Sequence, residues 1–195
     1  MENDRYGDIK GSYYLFDDWV TADIYDKKGE HMQNILVNYY GHEGVLEAYD
    51  GKSKYLVLDP MDYPRILITD DPKKRPKDLR FVETLTLNRS ALSGSNSDYH
   101  ITLYLDEGRQ LLLDYSVTIA TVTERPPGKI IEKKKFNKRF VPALIIGDKI
   151  QSFSNKKKEV KKAFQEIGDI TKWCKSNKMK VTSYEAMVAF LGAKP

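Results

Sequence analysis

At 195 residues, with 41% hydrophobic side chains and 13 tyrosines, the chain can bury one sizeable core, which excludes wholesale disorder. No run approaches the roughly 18 apolar residues a membrane-crossing helix needs. The net charge of +4 hides an asymmetry: residues 129–195 hold 17 Lys/Arg and 6 Asp/Glu, a net of +11, while residues 1–128 hold 15 and 22, a net of −7. Such polarity can mark an anionic partner for the basic part; the favoured readings are two halves that complement each other within one fold, or lysines that merely solvate exposed helices.

Met1 is followed at once by Glu-Asn-Asp-Arg, without the apolar stretch of a leader. This start fits a cytoplasmic chain, or an exported one whose leader has been removed. Cys174 is the single cysteine, so no internal disulfide is expected, and the compartment stays open.

Residues 1–10 are polar and expected to be loose. Gly11-Ser12 leads into Tyr13-Tyr14-Leu15-Phe16 and then Asp17-Asp18-Trp19. Strands are expected over about 20–25, 31–40, 45–49, 55–58 and 65–69. Asp50-Gly51 is a hairpin signal, and Asp59-Pro60 ends pairing because Pro lacks the amide donor. Residues 70–79 read as a polar surface loop, Phe81–Leu87 as a strand, and Ser90–Asp98 as a mobile connector.

The clearest pattern is a long hairpin over 99–120. Ile101, Leu103 and Leu105 alternate with His100, Thr102 and Tyr104; then Leu111, Leu113, Tyr115, Val117 and Ile119 alternate with Asp114, Ser116 and Thr118. Gly108 is expected to supply the positive φ of its turn. Pro126-Pro127-Gly128 breaks the chain, strands follow near 130–136 and 139–146, and Gly147-Asp148 turns into Lys149–Phe153.

The period changes at Ser154. Val160, Phe164, Ile167, Ile170 and Trp173–Cys174 mark one apolar stripe on a helix of about five turns, with Gly168 the place for a kink or break. Thr182 and Glu185 read as the capping box of a second helix that ends near Gly192. The expected fold is mainly β (α+β): an antiparallel meander, sandwich or barrel-like roll of about ten short strands over residues 1–153. Two C-terminal helices over 154–195 pack on it, in a single structural unit.

Chemistry is sparse. His31, His42 and His100 lack partners at metal-ligand spacing and read as surface or edge residues. Asp59, Asp62, Asp70 and Asp71 fit turns better than calcium ligands. Tyr14, Asp17, Asp18 and Trp19 form a candidate ligand surface, since aromatics beside carboxylates suit carbohydrate; core packing with exposed carboxylates is the favoured alternative. Cys174 lies on an apolar stripe and reads as a core residue. Asn88-Arg89-Ser90 fits the glycosylation tripeptide, a match expected by chance. No phosphate loop, nucleophile elbow or zinc-protease motif occurs, so no catalytic residue, metal or cofactor is assigned. Lys133, Lys134, Lys135, Lys156, Lys157, Lys158, Lys161 and Lys162 form a candidate anion-binding patch. Nucleic acid is disfavoured, because the clusters are lysine-dominated and Phe136, Phe140 and Phe164 read as core-facing.

GSYYLFDDW (11–19), YLVLDP (55–60) and KKKEVKKAF (156–164), followed by a short capped helix, resemble a family of uncharacterised exported β-rich proteins of Bacteroidota bacteria. The motifs are a G-S-x-Y-L start, a strand ending in V-L-D-P and a lysine-rich helical tail. The resemblance implies a periplasmic, envelope-associated or secreted protein and carries over no catalytic residue. The sequence thus favours a non-enzymatic extracytoplasmic binding or structural domain, its partner an envelope protein, a glycan or an anionic lipid. The alternatives are a hydrolase of an envelope polymer, or a binder of anionic lipid or polymer through the basic C-terminal part.

Overall fold

Strand β1 (Val20–Tyr25) pairs on one side with β2 (His31–Tyr40) and on the other with β5 (Arg65–Ile68), and this double pairing joins two meanders into one sheet. The computed structural model describes residues 9–49, 55–90, 92, 98–124 and 126–194. The remaining strands are β3 (Val45–Tyr49), β4 (Tyr55–Leu58), β6 (Leu85–Arg89), β7 (Tyr99–Leu105), β8 (Arg109–Glu124), β9 (Ile131–Ile146) and β10 (Lys149–Ser152). The ten strands lie in the order β10-β9-β8-β7-β6-β5-β1-β2-β3-β4, every neighbour antiparallel, with β10 and β4 at the edges. The mainly β, antiparallel expectation holds, as one open sheet and not a two-sheet sandwich. The Asp50-Gly51 turn, residues 1–8 and most of Ser90–Asp98 lie outside the described residues.

Several boundaries differ from the sequence reading. The strands expected near 130–136 and 139–146 are the single strand β9, which pairs with β8 from Ile131 to Ile146. Strand β6 starts at Leu85 and not Phe81. The β7–β8 turn does not use a positive φ at Gly108. Asp106 closes it instead: its Oδ1 accepts the amides of Gly108 (3.0 Å) and Arg109 (2.7 Å). A bulge between Thr102 and Tyr104 sets Tyr104 opposite Leu111, so Tyr104 joins the core face and Leu105 is left exposed. The connector 70–79 is two short 3-10 turns, Pro72–Lys74 and Lys77–Leu79, with Leu79 buried. It is pinned by buried Arg75, whose guanidinium donates to the carbonyls of Ile68, Asp70, Val82 and Glu83.

The sheet curls until its halves touch. The amide of Val117 in β8 donates to the carbonyl of Gly41, just past β2 (2.8 Å), and the amide of Gly41 donates to Tyr13 (3.0 Å). The N-terminal segment fills the seam. Leu15 donates its amide to the Tyr39 carbonyl, while Lys10 bridges to β9 by exchanging bonds with Lys134 and Phe136. Asn38 completes the seam where β1 leaves β2. Its Oδ1 accepts the amides of Phe16 and Tyr39, and its Nδ2 donates to the carbonyls of Phe16 and Asp18. A buried amide with four bonds replaces ladder pairing that would otherwise be lost.

Three helices follow where two were expected. α1 (Lys157–Ala163) and α2 (Ile170–Ser176) are the two pieces of the predicted five-turn helix, and α3 is Tyr184–Gly192. The break falls at Gly168, whose φ of 150° only glycine adopts readily, and Asp169 restarts the chain by accepting the amides of Thr171 and Lys172 (both 3.0 Å). The α3 cap is Ser183, not Thr182: its hydroxyl accepts the amide of Ala186 (3.2 Å). The helices pack on the core face through Phe153–Phe164, Phe164–Phe190, Trp173–Phe190 and Phe140–Tyr184 ring contacts. One continuous core runs from Leu15 to Leu191.

A Cβ on Gly41 would lie 2.3 Å from Tyr115 Cε1 and 2.8 Å from Val117 Cγ2, inside van der Waals contact with ring and strand alike. Gly41→Ala is expected to cost about 3 kcal/mol in urea unfolding, as overpacking of a tight core does. Combining it with Tyr115→Leu should recover part of that loss. An unchanged midpoint for the single variant would refute the seam as a stability determinant.

Candidate functional site

The candidate surface of Tyr14, Asp17, Asp18 and Trp19 divides in two. Tyr14 is set by its bridge to Tyr40, and its hydroxyl donates to Glu47 Oε2 at 2.6 Å. Its ring lies 4.6 Å from Tyr13, 5.9 Å from Tyr40 and 6.0 Å from Trp19. Trp19 stacks on Tyr55 at 5.1 Å and 20°, with Tyr49 at 6.0 Å. These rings lie against one another and cover Glu47, which is 1% exposed. Asp17 and Asp18 instead face solvent, Asp17 with Lys138 Nζ 3.9 Å away. The aromatic part therefore packs as structure, and the carboxylates do not join it.

The eight lysines form two groups. Lys133, Lys134 and Lys135 lie on the extended arm of β8 and β9, Lys133 paired with Glu124. Lys156, Lys157, Lys158, Lys161 and Lys162 are exposed on and just before α1. Phe153, which precedes α1, docks beside Pro142. Pro142 is about seven residues from Lys135 along β9, on the order of 23 Å at the rise of a strand.

α1 roofs a cleft of about 410 Å³ beside the edge strand β10. Leu144 and Ile146 form its floor, Lys149 and Gln151 project from β10, and Lys162 and Glu166 close it from the helix side. Lys149 Nζ reaches Glu166 at 3.1 Å in an exposed pair. A wider depression of about 880 Å³ adjoins it through Ile146 and Glu166, reaching Arg109, Asp106 and Lys194. There Arg109 binds Asp106 at 2.7 Å and the Lys194 carbonyl at 2.7 Å. The Arg109 hydrogen bond, with the Gly108 amide, holds the Asp106 carboxyl well below the usual carboxylate range.

A second polar cluster lies on the outer face. Register pairs Arg65 with Asn88 and Asn88 with His100 across β5, β6 and β7, and the Asp114 charge in β8 acts on His100. His100 is buried, and among the described residues neither its Nδ1 nor the buried Oδ1 of Asp114 has a hydrogen-bond partner. Burial pushes the imidazole down to about 4, the Asp114 charge opposing. His31 stacks on Tyr25 at the exposed end of this face, and His42 contacts the Val117 carbonyl at the seam (3.1 Å). Among the described residues no three His, Cys, Asp or Glu side chains gather to hold a metal. Cys174 is buried, and burial raises its thiol, as for a core residue.

Glu47, Arg75 and His100 carry no sequence signal of their roles. His100 occupies a position that alternation assigns to the wetter face yet is buried, and Glu47 is covered by Tyr14 from the N-terminal segment. No protein-family model, no curated protein and no solved structure matches the chain.

The imidazole of His100 is neutral in the fold and must be protonated against burial in acid. Its folded pKa lies below the ordinary value of 6.5, so its contribution is complete above pH 6.5 and is lost as pH falls toward 4. Over that window we expect wild-type stability to drop by up to about 3 kcal/mol more than that of His100→Asn. Parallel urea titrations from pH 7 to pH 4 measure the difference, and superimposable pH profiles would contradict a buried neutral imidazole.

Proposed function

We propose that this chain is a non-enzymatic binding domain that works outside the cytoplasm or at the cell envelope. One observation carries the binding reading: a sheet edge, β10, which pairs only with β9 among the described residues, runs beside a cleft lined by Lys149, Lys162 and Glu166 over an apolar floor. The polar groups that a catalytic reading would need are engaged in holding the fold. Tyr14 binds Glu47, Arg109 binds Asp106, and Arg75 binds main-chain carbonyls. The extracytoplasmic part of the proposal is supported by the G-S-x-Y-L, V-L-D-P and lysine-tail resemblance. No helix among the described residues is long and apolar enough to cross a membrane.

Fractionation of the native host, with the mature N-terminus read by mass spectrometry, tests the location. The expected result is a processed chain in the periplasmic, envelope or secreted fraction. An unprocessed chain in the cytosol would overturn the extracytoplasmic reading.

A further inference from the structure

Strand β10 ends the sheet, and among the described residues it pairs only with β9. Its free side is set by parity. Phe153 donates its amide to the Pro142 carbonyl, so Phe153, Gln151 and Lys149 direct their main-chain groups toward β9. The alternation of an antiparallel ladder then turns the amide and carbonyl of Ile150 and of Ser152 outward. All four β10 residues are exposed. Lys149 and Gln151 pair with Ile146 and Leu144, so their side chains share the core face with the cleft floor and stand toward α1.

An edge strand flanked by a helix, with a cleft between them, is the arrangement that accepts an added strand. Main-chain bonds supply affinity, and alternate side chains of the guest enter the cleft. Charge selects the guest. Lys149 and Lys162 line the cleft, while Lys156, Lys157, Lys158 and Lys161 surround α1 without an ion pair among the described residues. The one acid in the cleft, Glu166, is engaged by Lys149 in an exposed pair that a carboxylate ligand can displace at little cost. The opposite edge differs: β4 exposes Leu56 and Val57 and runs directly into Asp59-Pro60, which limits added pairing.

We propose that β10 and α1 form a docking groove for an extended acidic peptide, which adds as a further antiparallel or parallel strand and turns alternate carboxylates toward Lys149 and Lys162. The inference rests on the binding-domain reading and names its ligand class.

The test is fluorescence anisotropy of the full chain with a labelled octapeptide alternating glutamate and valine. We expect saturable binding that weakens at least tenfold between 50 and 500 mM salt, and at least tenfold when glutamine replaces glutamate in the peptide. Ile150→Pro removes an outward donor without touching the β9 ladder and should weaken binding at least tenfold, with an unchanged circular dichroism spectrum. Lys162→Glu, on an exposed helix surface, should do the same while leaving the strand intact. The proposal is overturned if the peptide shows no saturable binding, if the glutamine peptide binds equally, or if both variants bind like wild type. It is also overturned if the chain prefers phosphatidylglycerol vesicles to the peptide through the same lysines, which would mark a membrane surface. A cytosolic chain that binds the peptide refutes the location and not the groove. An envelope chain that ignores the peptide refutes the groove and not the location.

Discussion

Everything in this fold depends on one close approach. Gly41 lies so near Tyr115 and Val117 that no side chain fits between them, and its carbonyl takes the Val117 amide. Without that contact, β2 and β8 of the ten-stranded sheet would not be held against each other, and the sheet would stay a more open, twisted surface. With it, the sheet curls around Tyr39, Tyr99 and Tyr115, whose rings meet at 6.0–6.4 Å. Burial raises the Tyr99 and Tyr115 hydroxyls, which donate to the carbonyls of Tyr63 and Tyr14. Large aromatic side chains supply the buried area, and their polar tips find main-chain partners at the rim.

Where ladder pairing runs out, a single polar side chain takes over. Asn38 does so between β1 and β2, Asp106 in the β7–β8 turn, Asp169 at the start of α2, and Arg75 in the 70–83 connector. For Asn38 and Arg75 the bonds are buried, and a buried main-chain group left without a partner costs about 1–3 kcal/mol, more than a bond made to it adds; Asp106 and Asp169 do the same for exposed turns at lower stakes. Arg75 is the extreme case. Its charge is buried against carbonyl dipoles, with Asp70 and Asp71 near enough to offset part of the desolvation. Satisfaction is incomplete: among the described residues Arg75 Nε, His100 Nδ1, Asp114 Oδ1 and Thr171 Oγ1 are buried without a hydrogen-bond partner.

Strand positions were legible in the sequence because alternation is local. β1 falls where the spacing of Val20, Ala22 and Ile24 places it, with alternating burial, while β2, β3 and β4 keep the expected bounds between turn signals without alternating. The misses have non-local causes. Tyr104 changes face because of a bulge that depends on how β7 meets β8, and nothing in the spacing of residues 101–105 records it. The apolar stripe from Val160 to Cys174 keeps helical spacing through residues 164–169, yet those residues turn between α1 and α2, with the positive φ of Gly168 near their end. The candidate aromatic surface shows the same limit. Tyr14 and Trp19 were visible as a cluster, but Glu47, Tyr49 and Tyr55, which receive them, come from strands three and four.

The charge asymmetry offered three readings, and the ion pairs bear on one of them, complementation between the two halves. If the basic C-terminal part served to neutralise the acidic remainder, contacts between the two would be frequent. Among the described residues only Lys133–Glu124 and Lys138–Asp17 join them, and the second spans 3.9 Å to a carboxylate that is 94% exposed. The other pairs close within one part: Lys27–Asp62, Lys74–Asp70 and Arg109–Asp106 in the acidic part, Lys149–Glu166 in the basic part. Exposed pairs of this kind contribute little to stability. The lysines of α1 therefore do not hold the fold together. Their buried neighbours Val160 and Ala163 do, which leaves the charge free to act on whatever approaches the edge beside it.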